Sequence, residues 1–310
     1  MRMFVVLAAL LAASGAAAQE AGGRMGGAAP TGPAPTCPAS GYMPQAYYAL
    51  FGQNGGDGQT AYEIASPCIG KEVRDVAMSI GMGRNKLLGV KNVTTTMFSV
   101  DGTMADGAGM AKLTKTNFHI SYVLPAMRMF LNGTKANGQP LKEIRVFADQ
   151  YAWNEAQEGR GATAAMDTRN DRLPLLKLTP YGALWSLIDA EGHTTVSKVN
   201  GKTVLTGTSP YDGIEVSMTV EEQNLGMAGY GTGEPMSIPI AVTAKFNGHV
   251  YGATFADYSD KREPNVWMMF PGAMTWTLDG KPLADFKVTY FRSNPYVVFP
   301  IPDVVKPKTN

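Results

Sequence analysis

Cysteine and histidine are scarce in this chain. Two cysteines and three histidines occur among 310 residues, which leaves a zinc cluster or a CxxC redox centre few ligands to build on. His119, His193 and His249 each stand alone, and GxSxG, HExxH and SxxK with its partners are missing. A surplus of charge is missing as well: 27 Lys and Arg against 26 Asp and Glu give a net charge of +1. Such a balance supplies no basic face for nucleic acid and no pull on acidic partners. Beyond the first residues no apolar run approaches the ~20 residues of a bilayer span, so the mature chain is expected to be soluble, with no integral membrane span.

What the chain has is apolar residues (45%), Gly (35) and Pro (20), the makings of a turn-rich β protein of one large domain or two smaller ones. Residues 1–18 read as a secretory signal peptide: Met1-Arg2 is the positive start, Met3 to Leu11 the apolar region, and Ala16-Ala17-Ala18 the small-residue cleavage site. No cysteine follows that site, which argues against a lipid anchor and places the chain, exported, in the periplasm. Residues 19–36, nearly all Gly, Ala and Pro, form a flexible linker. In an oxidising compartment Cys37 and Cys68 are most simply a disulfide, worth roughly 3–4 kcal/mol by loop-closure entropy. They tie down a helical segment, residues 37–85, in which Val73, Val76, Ala77 and Ile80 make one apolar helical face.

Residues 86–305 change period and read as an antiparallel β domain. Val93 to Val100, Asn117 to Leu124, Met127 to Leu131 and Glu143 to Phe147 are strand-like, with Arg128, Lys142, Glu143 and Arg145 assigned to a wet face. Asn200-Gly201, Asn247-Gly248 and Asp279-Gly280 each fit a tight hairpin. One helix interrupts the strands: Thr179 is a fitting N-cap, Pro180 a fitting first-turn residue, and Tyr181, Leu184, Trp185 and Ile188 share a face. The concave side of a curved sheet is the expected place for it. The glycine-rich insert at 226–237 is long for a hairpin connection. Altogether about ten strands are expected, in a curved antiparallel sheet of half-barrel type, with a helix on the concave face and a helical N-terminal extension.

The order of strand, apolar helix and meander, with the string KFNGHVYGATFADYSD followed by WMMFPGAMTWTLDGKPLADFKVTYF, resembles the LolA-like carrier family of periplasmic half-barrels. The resemblance covers roughly residues 71 to 303 and implies an apolar concavity that holds acyl chains beneath covering helices. The segment from Asp75 to Asp106 and the closing motif from Asn294 to Pro302 also resemble the domain that precedes the metallo-β-lactamase-fold region in some exported hydrolases. Such hydrolases need an HxHxDH cluster, which this chain lacks, so only the accessory domain is implied.

Alternation points to candidate ligand-binding residues. Trp267 and Met269 share a face of one strand, Met274 and Trp276 a face of the next, and Phe286, Val288 and Tyr290 a face of a third. Leu184 and Trp185 of the helix complete the candidate set. For any single one of them ordinary core packing beneath the helix is the stronger reading, and the cavity is a statement about the face as a whole. Met127 with Met129, or Met268 with Met269, as soft copper ligands, and Asp257, Asp260 and Glu263 as a cation loop, are weaker than core packing and a solvated turn respectively. No catalytic residue, metal or cofactor is assigned. The reading is a non-enzymatic protein that binds a hydrophobic small molecule or acylated protein. The alternative is an accessory or interaction module that docks a periplasmic enzyme through a sheet edge or the Pro-rich tail NPYVVFPIPDVVKPK.

Overall fold

A computed structural model of the chain describes residues 69–82, 93–107, 109–190, 193–225, 235–261 and 268–307. Residues 1–18 and 19–36, expected as signal peptide and linker, lie outside them, as do Cys37, Cys68, Glu263, Trp267 and most of the 226–237 insert. The chain first runs as a meander of β1 (Thr95–Ala105), β2 (Met110–Ser121), β3 (Ala126–Thr134), β4 (Pro140–Ala148), β5 (Tyr151–Glu155) and the two-residue β6 (Thr163–Ala164). Helix α1 (Lys71–Ser79) precedes it. A helical crossover follows: a 3-10 turn at Met166–Thr168, α2 (Arg169–Arg172), a second 3-10 segment at Leu173–Leu178, and α3 (Pro180–Asp189). The meander then resumes from the other edge as β7 (Thr195–Val199), β8 (Lys202–Thr208), β9 (Glu215–Gln223), β10 (Met236–Phe246) and β11 (His249–Ala256). A small ribbon of β12 (Ser259–Asp260) and β13 (Met269–Phe270) comes next, then β14 (Ala273–Leu278) and β15 (Lys281–Ser293).

The 13-stranded antiparallel sheet has the order β6-β5-β4-β3-β2-β1-β15-β14-β11-β10-β9-β8-β7. Among the described residues β15 thus pairs with β1, and β6 and β7 are the two ends of an open sheet. Three hairpins turn where the dipeptides predict: Asn200, Asn247 and Asp279 have φ near 50°, followed by Gly201, Gly248 and Gly280 at 78°, 80° and 75°. Curvature comes from register shifts in five strand pairs. At the β1–β2 shift, between Val100 and Gly102, Gly102 has φ 147°, and a Cβ there would lie 2.0 Å from the Asp285 carbonyl oxygen of the neighbouring β15. The strand count exceeds the ten expected because β5 and β6 are too short, and the ribbon too small, to carry a period.

Helix α3 lies on the concave side. Its N-cap works as the sequence indicates, with the Thr179 Oγ1 accepting from the Gly182 N–H at 3.0 Å. All ten of its residues are buried, not one face alone, because the 3-10 segment, the sheet and α1 surround it. The side chains of Val73, Val76, Ala77 and Ile80 are buried as their spacing predicts. Tyr181 donates to the Ile80 carbonyl at 2.8 Å, and the Trp185 indole N–H donates to the Val93 carbonyl at 2.8 Å. A buried ion pair, Lys177 to Asp212 at 2.9 Å, ties the crossover to the β8–β9 turn.

The outer face of β3–β5 is covered by the chain's own tail. Val297, Phe299, Ile301 and Val305 of the Pro-rich segment pack on Val146, Ala148 and Trp153, while Tyr296, Val298 and Val304 of the same segment are exposed. Arg128, expected on a wet face, is instead 2% exposed. Its Nε and Nη2 donate to Glu155 at 3.0 Å each, and its Nη1 donates to the Val298 carbonyl at 3.1 Å. Glu155 also accepts from the Trp153 indole and the Gly159 N–H, which satisfies a carboxylate that burial alone would make costly.

Candidate ligand-binding cleft

Two parts of the concave face differ. Beneath α3 the side chains fill the space with one another. Phe98 stacks on Phe118 at 4.7 Å, Trp276 meets Phe286 edge-on at 4.9 Å, and Phe270 stacks on Phe291 at 4.2 Å, contacts that add to their burial. Burial holds the phenols of Tyr181 and Tyr258 well above their ordinary range, and pushes Tyr122 up to about 12 against the hydrogen bonds from Thr96 and Thr179. The Trp276 Nε1 is buried without a hydrogen-bond partner.

At the rim, where β1 and β14 end and β11 and β15 begin, the packing stops. A cleft of about 470 Å³ opens there between the sheet and the helical crossover. Met104, Met129, Leu175, Tyr251, Leu278 and Leu283 give it an apolar lining. Polar groups stand among them: Asp106 after β1, Glu143, Arg145 and Asn154 from β4 and β5, and Thr168, Asp171 and Arg172 from the crossover, with Arg145 the cross-strand partner of Met129.

The polar lining is organised around two guanidinium groups. Arg145 donates to Glu143 through Nε at 3.0 Å and Nη2 at 2.7 Å, and Lys135 reaches the other Glu143 oxygen at 2.8 Å. Burial raises the affinity of Glu143 for its proton, but the hydrogen bonds and charges of Lys135 and Arg145 outweigh it and hold the carboxyl below its usual value. Arg172, 6% exposed, donates through Nη1 to the Val146 and Trp153 carbonyls at 2.9 and 2.8 Å, and through Nη2 to the Asn154 Oδ1 at 2.7 Å. Burial, then the neighbouring Arg145 charge, lower its pKa to about 10, still far enough above neutrality to leave it a cation.

The sequence-derived candidates fall on both sides of this division and beyond it. Leu184, Trp185, Met269, Met274, Trp276 and Phe286 are all buried and belong to one hydrophobic core. None of them lines the cleft. Met268, Met269 and Phe270 are all fully buried, because the expected strand is only the two-residue β13 and alternation does not extend through it. Tyr290 is a correction: it is 47% exposed, on the outer face. Opposite it the register shifts between Ser99 and Val100, with Ser99 paired to Tyr290 and Val100 to Val288, so Thr289 is an extra residue that reverses the alternation. Phe291 takes the inward place instead. Met127 and Met129 share the inner face as expected and pack in the core.

Arg172, Asn154, Leu175 and Leu283 were not among those candidates, although an arginine directly before the buried run LPLLKL is a signal that the chain carries a charge inward with it. Glu143 and Arg145 were read as a solvated hairpin pair. They face the cleft because the crossover folds back over β4 and β5, a long-range event that no local pattern encodes.

No family model matches this chain, and no curated protein matches it in sequence. Solved structures with a similar architecture include a LolA superfamily protein from Nitrosomonas europaea, with a TM-score of 0.36 and 8% identity over 74% of this chain and 95% of that one. Another is LprF from Mycobacterium bovis, with a TM-score of 0.28 and 8% identity over 76% and 96%. The architecture of this chain is an open antiparallel sheet with a helix in its concavity. At this identity and these TM-scores the two solved structures carry no argument about what the chain binds. Among the described residues, no helix is long and apolar enough to cross a membrane.

Proposed function

We propose that the chain is an exported, non-enzymatic protein that holds the apolar part of a lipid or acyl chain at the open end of its LolA-like concave face. One observation carries this reading: the concave side is packed beneath α3 but opens at the rim into a cleft of about 470 Å³ with an apolar lining. That volume falls within the roughly 300–1,000 Å³ of small-ligand clefts. The mechanism is transfer of apolar surface out of water, about 25 cal/mol per Å², so a chain that buries about 200 Å² gains about 5 kcal/mol before association entropy is subtracted. Met104 and Met129 give the lining an adaptable surface suited to chains of varying shape. Leu184, Trp185, Met274, Trp276 and Phe286 are packed in the core and line no part of the cleft, so the bound chain lies at the rim. Export rests on residues 1–18, with the periplasm as compartment and Cys37–Cys68 as a disulfide in the segment before α1. Release follows from displacement of the helical crossover that forms one side of the cleft.

The test is native mass spectrometry of protein purified from the periplasm, followed by organic extraction and titration with a fluorescent fatty acid. A co-purifying apolar molecule, or saturable uptake that falls at least tenfold in Leu283→Asp, is the expected result. A clean apo mass with no uptake contradicts the reading and favours a docking module for a periplasmic enzyme.

A further inference from the structure

Arg172 is a nearly fully buried cation whose hydrogen bonds all go to neutral acceptors: two backbone carbonyls and one amide oxygen. Among the described residues it makes no ion pair, although a buried charge is ordinarily matched by one of opposite sign; the charges of Asp167, Asp171 and Glu143 act on it without such contact. Five N–H groups project from a guanidinium, and the three bonds to Val146, Trp153 and Asn154 leave two for a further acceptor. The cleft is the space that this side chain borders. Arg145 borders it too and places a second guanidinium near enough for its field to act on Arg172.

Three carboxylates line the cleft, Asp106, Glu143 and Asp171, and none of them forms an ion pair with Arg172; Asp106 accepts from the Ala136 N–H at 3.3 Å. Glu143 is taken up by Arg145 and Lys135. Asp171, next to Arg172 in sequence, is exposed and makes no ion pair with it. Hydrocarbon and thioether groups lie beside the two arginines: Met129 is the cross-strand partner of Arg145, and Leu175 follows Arg172 by three residues. The planar guanidinium donors match the geometry of carboxylate and phosphate oxygens, and the apolar groups next to them suit a chain.

We infer that the ligand of this cleft is an anionic amphiphile whose carboxylate or phosphate head is held by Arg172 and Arg145 while its chain lies along Met104, Leu175, Leu278 and Leu283. The inference rests on the cleft being an apolar-ligand site and adds the chemistry of the head. Charge-assisted hydrogen bonds in a site shielded from water are the strong ones, so an acid is favoured over an uncharged ester with the same chain.

The experiment compares cis-parinaric acid with its methyl ester, by fluorescence enhancement, on the full mature chain, with inorganic phosphate as a competitor. The acid is expected to bind at least tenfold more tightly than the ester. The preference should shrink to less than threefold in Arg145→Gln, which removes no backbone-bonding group, and vanish in Arg172→Gln if circular dichroism shows that this variant folds. Acid and ester binding equally to the wild type overturns the inference but leaves the apolar cleft intact. An unchanged acid preference in a folded Arg145→Gln or Arg172→Gln overturns the assignment of the head to these residues. Phosphate that binds while neither amphiphile does points to a free-anion site, which contradicts both the inference and the lipid reading. Phosphate that displaces the acid without affecting the ester supports the split between head and chain.

Discussion

The concave face is one surface with two fates. Under α3, aromatic rings on β1, β2, β14 and β15 reach across the curvature and close on one another, and the helix seals what remains. At the rim the same strands present Met104, Leu278 and Leu283, and β4 and β5 present Glu143, Arg145 and Asn154 in place of rings. A half-barrel does not become a container by being curved. Where large side chains line it the interior is core, and where the residues are shorter or charged and the covering helix stops, a cleft remains.

The largest expected effect comes from breaking the packed part. Trp276→Ala removes a fully buried ring from between Phe118 and Phe286 and should lower the unfolding free energy by about 3–5 kcal/mol in a urea titration. A variant that stayed as stable as the wild type and lost ligand uptake would move the binding surface into the supposed core. Leu283→Asp reverses the comparison. Leu283 is only partly buried, at the cleft, so its stability loss should be about 1–2 kcal/mol while fatty-acid uptake falls tenfold or more.

The smallest effect distinguishes the two parts by titration. The core's tyrosines are silent between pH 4 and 8, since burial raises all of them. The cleft is not silent: Glu143 is held below its ordinary value by Lys135 and Arg145. A folded-state value depressed in this way contributes stability that is present above the unfolded pKa near 4.3 and lost as pH falls through the folded one. With a partly exposed side chain the contribution should be under about 1 kcal/mol. The difference in unfolding free energy between wild type and Glu143→Gln should therefore narrow as the pH drops below about 4.3. A constant difference from pH 6 to pH 3 would contradict this electrostatic account of the cleft.

The sequence carries the packed part far better than the open part. Asn-Gly and Asp-Gly pairs locate three hairpins because positive φ is a property of the dipeptide itself, and Thr179-Pro180 locates α3 because a cap is local chemistry. Alternation then identifies most of the core, up to the place where Thr289 shifts the phase and sends Tyr290 outward. A bulge of one residue leaves no local mark. The cleft depends on contacts between β4, β5 and a crossover that returns over them, so Arg172 and Asn154 come within 2.7 Å only through the tertiary fold. Arg128 shows the same limit on the outer face: a charged residue in a strand reads as wet until the tail, 170 residues away, covers it.

The central claim is that the chain's apolar ligand lies in the rim cleft and not within the core. It is tested most directly by photo-crosslinking a diazirine fatty acid to the purified protein and mapping the labelled peptides. Labels are predicted on the segments that contain Met104, Leu175, Leu278 and Leu283. Labels concentrated instead on the segment from Tyr181 to Asp189 and on Met269 to Trp276, with the rim unmarked, would contradict the account.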